Sequence, residues 1–439
     1  MLSKVKNGRH FYFREQNFYR FFTFKSKKIC IFAATNVRIM VEINLLFDQS
    51  MRLIGGVDLT HKRYLYSQID WTDRLIIIKG AKGVGKTTML LQHIRENFKD
   101  FSKVLYVSLD HIWFSKYSLM ELAEFFYTHG GEYLFLDEVH KYPTWIQEVK
   151  NIYDYYPKLH LVVTGSSILN LSRNKVADLS RRHIMYVLRG LSFREYLELE
   201  GIAKFPIFSL GQILSEHISL AMDITSQIKV LPAFEAYIRH GYYPFYRENV
   251  ENFDTRLQQV VTTVIETEIP LVGNLEIESV YKAKRLLGCL AQQTPYILNI
   301  SDLCKKLEVS RNNLLKLLDL MNQATLIRRL YAKDGEIKAL AKPEKVLFDN
   351  TNLMYALAAN FDSGTMGETF FASQMSTLGT IIMPQEGDLS LPDGTTFEAG
   401  GPGKKHTQVK DITKSYVVRD GVEMGFANKI PLWLFGMLY

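Results

Sequence analysis

From about residue 52, short apolar runs alternate with stretches whose apolar positions have helical spacing. The runs "RLIIIKG" (74–80), "KVLYVSLD" (103–110), "EYLFLDEV" (132–139), "LHLVVTGS" (159–166) and "RHIMYVLRG" (182–190) read as strands. Between them, "TTMLLQHIRENF" (87–98), "SLMELAEFFYTHG" (118–130) and "TWIQEVKNIYDYY" (144–156) read as helices. That alternation predicts an α/β unit built on a mainly parallel sheet. After "LSFREYLELEG" (191–201) the pattern turns helical until about residue 325. Within it, "ISDLCKKLEVSRNNLLKLLDLMNQ" (300–323) predicts two short helices with Ser301 and Ser310 as N-caps. With "LIRRLYAKDGEIKAL" as a two-stranded wing, this layout resembles a winged helix-turn-helix. Residues 346–439 are strand-rich again, with Gly and Pro clustered at 387–405.

These textures divide the chain into five parts: an N-terminal extension (1–39), an α/β core (40–190), a helical lid (191–275), a winged-helix-like segment (276–345) and a small α+β C-terminal domain (346–439). The 439 residues are 47% apolar and 13% aromatic, as expected of folded protein. No uninterrupted apolar run of about eighteen residues is present, so no membrane span is expected. Cys30, Cys289 and Cys304 form no CxxC pair, which excludes zinc-ribbon and thiol-redox readings and suggests a reducing, cytoplasmic setting. The eleven histidines show no metal-ligand spacing.

Charge is unevenly placed. The net charge is +7, yet residues 1–39 alone carry nine Lys/Arg against the single acid Glu15. Residues 40–439 retain 44 bases and 45 acids, so the body is near neutral. The interleaved aromatics of the extension suit stacking on single-stranded nucleic acid. A targeting segment, an appendage, or sequence translated upstream of a start at Met40 or Met51 are the other readings.

The chemistry concentrates between the first strand and the first helix. Gly80-Ala81-Lys82-Gly83-Val84-Gly85-Lys86-Thr87, followed by Thr88, fits the phosphate-binding loop G-x-x-x-x-G-K-[ST] in its required strand–loop–helix context. Its glycines let backbone N–H groups curl around phosphates, and the helix N-terminus adds its positive end. Lys86 is expected on the β- and γ-phosphates and Thr87 on Mg²⁺, while Lys82 is expected in solvent. Some fifty residues on, Asp137 and Glu138 end an apolar strand. The first is placed to hold Mg²⁺ and the second to polarise the attacking water, which points to ATP hydrolysis. Thr164, Ser166 and Ser167 end the fourth strand, either to sense the γ-phosphate or to cap a helix. Arg181 and Arg182 precede the fifth strand, as an arginine finger toward a neighbouring subunit or as a solvated pair. Arg189 and Arg194 are weaker candidates for the finger.

Together, "GAKGVGKTT", "LFLDEVHKYPTW", "VVTGSS", "LSRRHIMYVLRGLSFREYL", "RHGYYPF", "KVLFDNTNLMYAL" and "GETFFASQM" resemble bacterial and archaeal ATPases with an AAA-type P-loop core and a C-terminal domain of unknown function. The resemblance covers about residues 40–439. It implies a helical lid, a winged-helix segment and a tail similar to the restriction-endonuclease fold. Nucleases of that fold need an Asp and then E-x-K. Asp388 and Glu398 are suitably separated, with Glu368 as a third acid, but the lysine position is Gly400. Only Lys404 or Lys405, folded back, would replace it, so a degenerate interaction fold is the expectation. The winged-helix segment offers Arg311, Asn312, Asn313, Lys316, Lys305, Lys306, Arg328 and Arg329 to DNA, although leucines dominate its second helix. Expected partners are therefore ATP with Mg²⁺, either DNA or a protein client, and further copies of the chain, with no membrane.

Overall fold

The five apolar runs form one fully parallel sheet: β1 (Leu75–Gly80), β2 (Val104–Ser108), β3 (Tyr133–Asp137), β4 (His160–Ser166) and β5 (Ile184–Val187), in the order β2-β3-β4-β1-β5. The register sets Ile78 beside Thr164, Gly80 beside Ser166 and Leu136 beside Val163. Ile76, Ile77, Ile78, Leu134, Phe135, Leu136, Leu161 and Val163 are fully or almost fully buried, because crossover helices cover both faces of a parallel sheet. The edge strand β5 leaves Ile184 and Val187 exposed. Helices α2 (Lys86–Asn97), α3 (Leu119–Thr128) and α4 (Trp145–Tyr155) follow β1, β2 and β3.

The computed structural model describes residues 27–167, 179, 181–273, 275–292, 296–297, 299–332, 343–400 and 414–439. Residues 1–26 of the basic extension, the far part of the expected wing, and Lys404 and Lys405 lie outside them. Residues 1–49 and 50–439 form two units. The first contains the start of helix α1 (Lys27–Gly56). Between Lys27 and Gly55 the sequence holds no Gly or Pro, so nothing in this stretch interrupts a helix.

The expected helical region contains α5 (Phe193–Leu199), α6 (Leu210–Gln227), α7 (Val230–His240) and α8 (Phe253–Thr263). Helix α8 runs through one π-helical turn, Val264–Glu268, into α9 (Ile269–Gly273), and α10 (Ile277–Gln292) follows. Capping boxes start α5 (Ser192 with Glu195) and α6 (Ser209 with Gln212).

Next come β6 (Tyr296–Ile297), α11 (Ile300–Leu307), α12 (Arg311–Gln323), β7 (Ile327–Leu330) and β8 (Lys345–Phe348), whose strands form an antiparallel sheet β6-β8-β7. Ser310 caps α12 as expected. Asn299, not Ser301, caps α11, because burial of Ile300 starts the helix two residues earlier and asparagine caps as well as serine.

Helices α13 (Thr351–Leu357) and α14 (Ser363–Met375) precede a sheet ordered β12-β11-β10-β9. In it β10 (Thr396–Gly400), β11 (Ser415–Arg419) and β12 (Lys429–Pro431) are parallel, and β9 (Leu389–Ser390) is antiparallel to β10. The final turn, Leu432–Met437, is wholly buried and packs against α5, α6, α7 and α14. Beyond it, the Tyr439 carbonyl accepts from Ser192 Oγ (2.5 Å) and Arg194 Nε (3.0 Å), and the Tyr439 ring meets Tyr64 edge-on at 4.8 Å. In the same sheet region, Asp388 Oδ2 accepts from the Ala399 N–H (2.9 Å) and Glu398 is buried, while Glu368 forms a buried ion pair with Lys345.

Candidate functional site

Because the core strands are parallel, their carboxyl ends share one edge of the sheet, the edge where open α/β sheets bind ligands. The loop 81–85 leaves β1 there and enters α2. Gly83 and Gly85 sit at φ of +86° and +93°, which side chains rarely adopt. A methyl at Gly80 would lie 2.3 Å from the Leu188 carbonyl oxygen. Val84 is fully buried and anchors the loop; Lys82 and Thr88 face solvent, and Ala81 is half-buried. Lys86 is 5% exposed and donates to the Gly80 (2.9 Å) and Ala81 (3.0 Å) carbonyls. Burial pushes its ammonium below the ordinary lysine range, against the pull of Glu138, Asp137 and Glu268.

A residue outside the motif holds this loop in place. Arg63 donates to the Val84 carbonyl, to the Arg189 (2.7 Å) and Gly190 (2.8 Å) carbonyls, and to Glu195 (Nε–Oε1 3.0 Å). Glu195 also accepts from the Tyr64 (2.6 Å) and Ser192 (3.1 Å) N–H groups. One buried guanidinium thus joins the phosphate loop to the start of α5.

At the end of β3, Asp137 gathers four donors. Oδ2 accepts from Thr87 Oγ1 (2.5 Å) and Tyr106 OH (2.8 Å), and Oδ1 from Thr164 Oγ1 and the Glu138 N–H (3.0 Å). The two expected Mg²⁺ ligands, Thr87 and Asp137, are therefore in direct contact. Hydroxyl and carboxylate oxygens are the hard donors Mg²⁺ takes, and it needs only one or two from protein when phosphates and water supply the rest. The residues present fit that cation.

Glu138 stands at φ +51°, a left-handed backbone that costs a non-glycine residue about 1–3 kcal/mol and concentrates at functional sites. Burial raises its carboxyl above the usual range, opposed by Lys86 and reinforced by Asp137 and Glu268. His140 Nε2 lies 3.4 Å from Glu138 Oε2, and its Nδ1 accepts the Ser166 N–H at 3.4 Å. Burial lowers His140 to about 4, which keeps the ring neutral at pH 7.

Ser166 lies at this edge, with its hydroxyl donated to Glu268 of the π-helical turn. The two arginines lie elsewhere. Ile184 pairs with Ile76, so Arg181 and Arg182 sit at the amino end of β5, across the sheet from Gly80. Arg182 makes a two-pronged pair with Asp154 (2.9 and 3.0 Å), while Arg181 is exposed. The weaker candidates are structural ties, Arg189 to Ser376 (3.0 and 2.8 Å) and Arg194 to Tyr439. Sequence reasoning missed Arg63, Tyr106, His140 and Glu268. Only His140 carried a signal, as the polar residue three positions beyond Asp137.

Residues 72–197 match an AAA domain, and residues 231–364 match a domain of unknown function (DUF8612). Over 287 residues the chain is 26% identical to an uncharacterized protein of Methanocaldococcus jannaschii, covering 62% of this chain and 60% of that protein. The chain thus spans under two thirds of that relative's length. AMPPCP-bound DnaA from Aquifex aeolicus shares 13% identity over 59% of this chain and 82% of its own, with a TM-score of 0.26. A katanin structure determined for its self-assembly shares 17% over 37% of this chain and 57% of its own, with a TM-score of 0.24.

Proposed function

We propose that this chain, which carries an AAA domain over residues 72–197, is a Mg²⁺-dependent ATP hydrolase acting as a molecular switch or remodeller. The observation that carries the reading is the meeting of Thr87 with Asp137 at the strand edge, with Lys86 and Glu138 beside them. Residues 80–88 receive the phosphates through loop N–H groups and Lys86. Thr87 and Asp137 would hold Mg²⁺, which when bound neutralises charge on the phosphate oxygens. Glu138 orients and deprotonates the attacking water, and its raised proton affinity brings it nearer the working pH of a general base. Ser166 faces the terminal phosphate. Arg181, exposed at the far edge, is offered to a second copy of the chain as an arginine finger.

Among the described residues no helix is long and apolar enough to cross a membrane, and Cys289 and Cys304 are free thiols. Both fit a cytoplasmic protein. The alternative reading, ATP-gated DNA binding, has fewer donors than its sequence promised. Arg328 pairs with Asp349 (2.6 Å), Arg329 with Asp319 (2.5 Å), Lys306 with Asp302 (3.0 Å), and Lys316 donates to the Gly273 carbonyl (2.9 Å). A protein client fits these neutralised surfaces better. No nuclease role is proposed: Glu368 is committed to Lys345.

Phosphate release from ATP tests the reading. Lys86→Ala should abolish turnover, and Glu138→Gln should keep ATP bound while lowering turnover about 10²–10⁴-fold. Persistent hydrolysis in purified Lys86→Ala protein would overturn it.

A further inference from the structure

The carboxylate of Glu268 has no part in the roles assigned above. It lies 102 residues beyond Ser166, on the single π-helical turn that interrupts the helix α8–α9, and is 2% exposed. Such turns are rare and occur frequently at functional sites. A buried carboxylate needs compensation. Glu268 has it in the Ser166 hydroxyl and in the charge of Lys86. Its own charge acts in turn on Glu138 and His140, so it shares the field of the groups that surround the reacting phosphate.

An anionic oxygen that accepts from Ser166 within the field of Lys86 describes Glu268 as it stands. It equally describes the terminal phosphate of a nucleoside triphosphate. Two anions cannot share the Ser166 hydroxyl at close range, because like charges repel strongly where water is excluded. A diphosphate lacks the competing group and leaves Glu268 with its partners.

We infer that Glu268 is a nucleotide-discriminating residue, whose lid-borne carboxylate occupies the place of the γ-phosphate so that ATP, and not ADP, must displace it. This rests on the ATP-binding reading above. Displacement couples the third phosphate to the π-helical turn, and through it to α8 and α9. Because the triphosphate alone works against this competition, Glu268 lowers affinity for ATP relative to ADP. Neutralising it should raise the preference for ATP.

The test uses the full chain and titrates a non-hydrolysable ATP analogue and ADP against wild type, Glu268→Gln and Glu268→Ala. The ratio of ADP to analogue Kd should rise about tenfold or more in both variants, within the usual range of coupling between sites, with ADP affinity nearly unchanged. A ratio unchanged in both variants, or lowered, overturns the inference. Hydrogen exchange on the unmodified chain provides a second measurement that needs no variant to fold. The analogue should speed amide exchange across residues 264–273 and ADP should not, whereas equal exchange with both refutes displacement. If wild type binds neither nucleotide, the ATP reading itself fails and this inference with it. If wild type binds both and Lys86→Ala neither, a flat ratio removes Glu268 alone.

Discussion

Replacing Arg63 tests whether a residue outside the motif holds the phosphate loop. Arg63→Met keeps the length and apolar bulk of the stem but removes every donor of the guanidinium. Its partner Glu195 has a side chain only 3% exposed, so the change leaves a buried carboxylate without its cation. Breaking such a pair costs about 3–5 kcal/mol. Glu195 keeps the Tyr64 and Ser192 N–H groups, which favours the lower figure, while the Val84, Arg189 and Gly190 carbonyls lose a donor at up to about 1 kcal/mol each. We take about 4 kcal/mol. The unit Ser50–Tyr439 should unfold with an entropy of about 0.8 kcal/mol/K, from about 2.1 cal/mol/K per residue, so Tm should fall about 5 °C. Thermal circular dichroism reads this directly. Glu195→Gln keeps the capping-box geometry at α5 while removing the stranded charge, so the double variant should recover part of the loss. A Tm within about 1 °C of wild type, or a double variant no better than Arg63→Met alone, would refute the reasoning.

Two further predictions concern stability. His93 stacks on Trp71 at 3.7 Å and is lowered by burial to about 4, below its unfolded value of 6.5. The unfolded state therefore binds this proton first, and stability should fall as pH drops from 6.5 toward 4, by about 3 kcal/mol from this group. In His93→Phe the urea midpoint should depend less steeply on pH over that window; an unchanged slope would count against the assignment. In the antiparallel sheet β6-β8-β7, Lys345→Met should cost about 3–5 kcal/mol by removing the cation of the buried pair, and Lys345→Met/Glu368→Leu should recover part of that loss, both read by urea unfolding.

The parts of the fold legible from sequence are those specified by neighbours along the chain. All five core strands lie within the apolar runs, because a buried parallel strand is continuous hydrophobicity and needs no partner to be recognised. The loop 80–87 was equally readable, since its spacing is itself the geometry. Asp137 could be placed at a strand end, but not its contacts with Tyr106 and Thr164, which come from neighbouring strands 31 and 27 residues away in sequence. Arg63 and Glu268 were invisible for the same reason. Arg63 works through Glu195 at a separation of 132 residues, and "VIETE" has no feature that marks its last glutamate. The Asn299 cap was missed on a finer scale, because both Asn299 and Ser301 satisfy the cap rule and only the burial of Ile300 chooses between them.

The packing of residues 432–439 against α5 also has a consequence in time. The AAA match ends at residue 197, yet Ser192 and Arg194 find their acceptor, and Tyr64 its edge-on ring partner, at Tyr439. At about 5–20 residues per second, a ribosome takes roughly 12–48 s to cover that interval. For that interval the nascent core waits with Phe193 and its neighbours uncovered, exposed to chaperones and to other copies. The contacts of Ser192 and Arg194 are complete only after the intervening helices and sheets have been made. The cover over Phe193 and α5 is therefore among the last parts of the described fold to form.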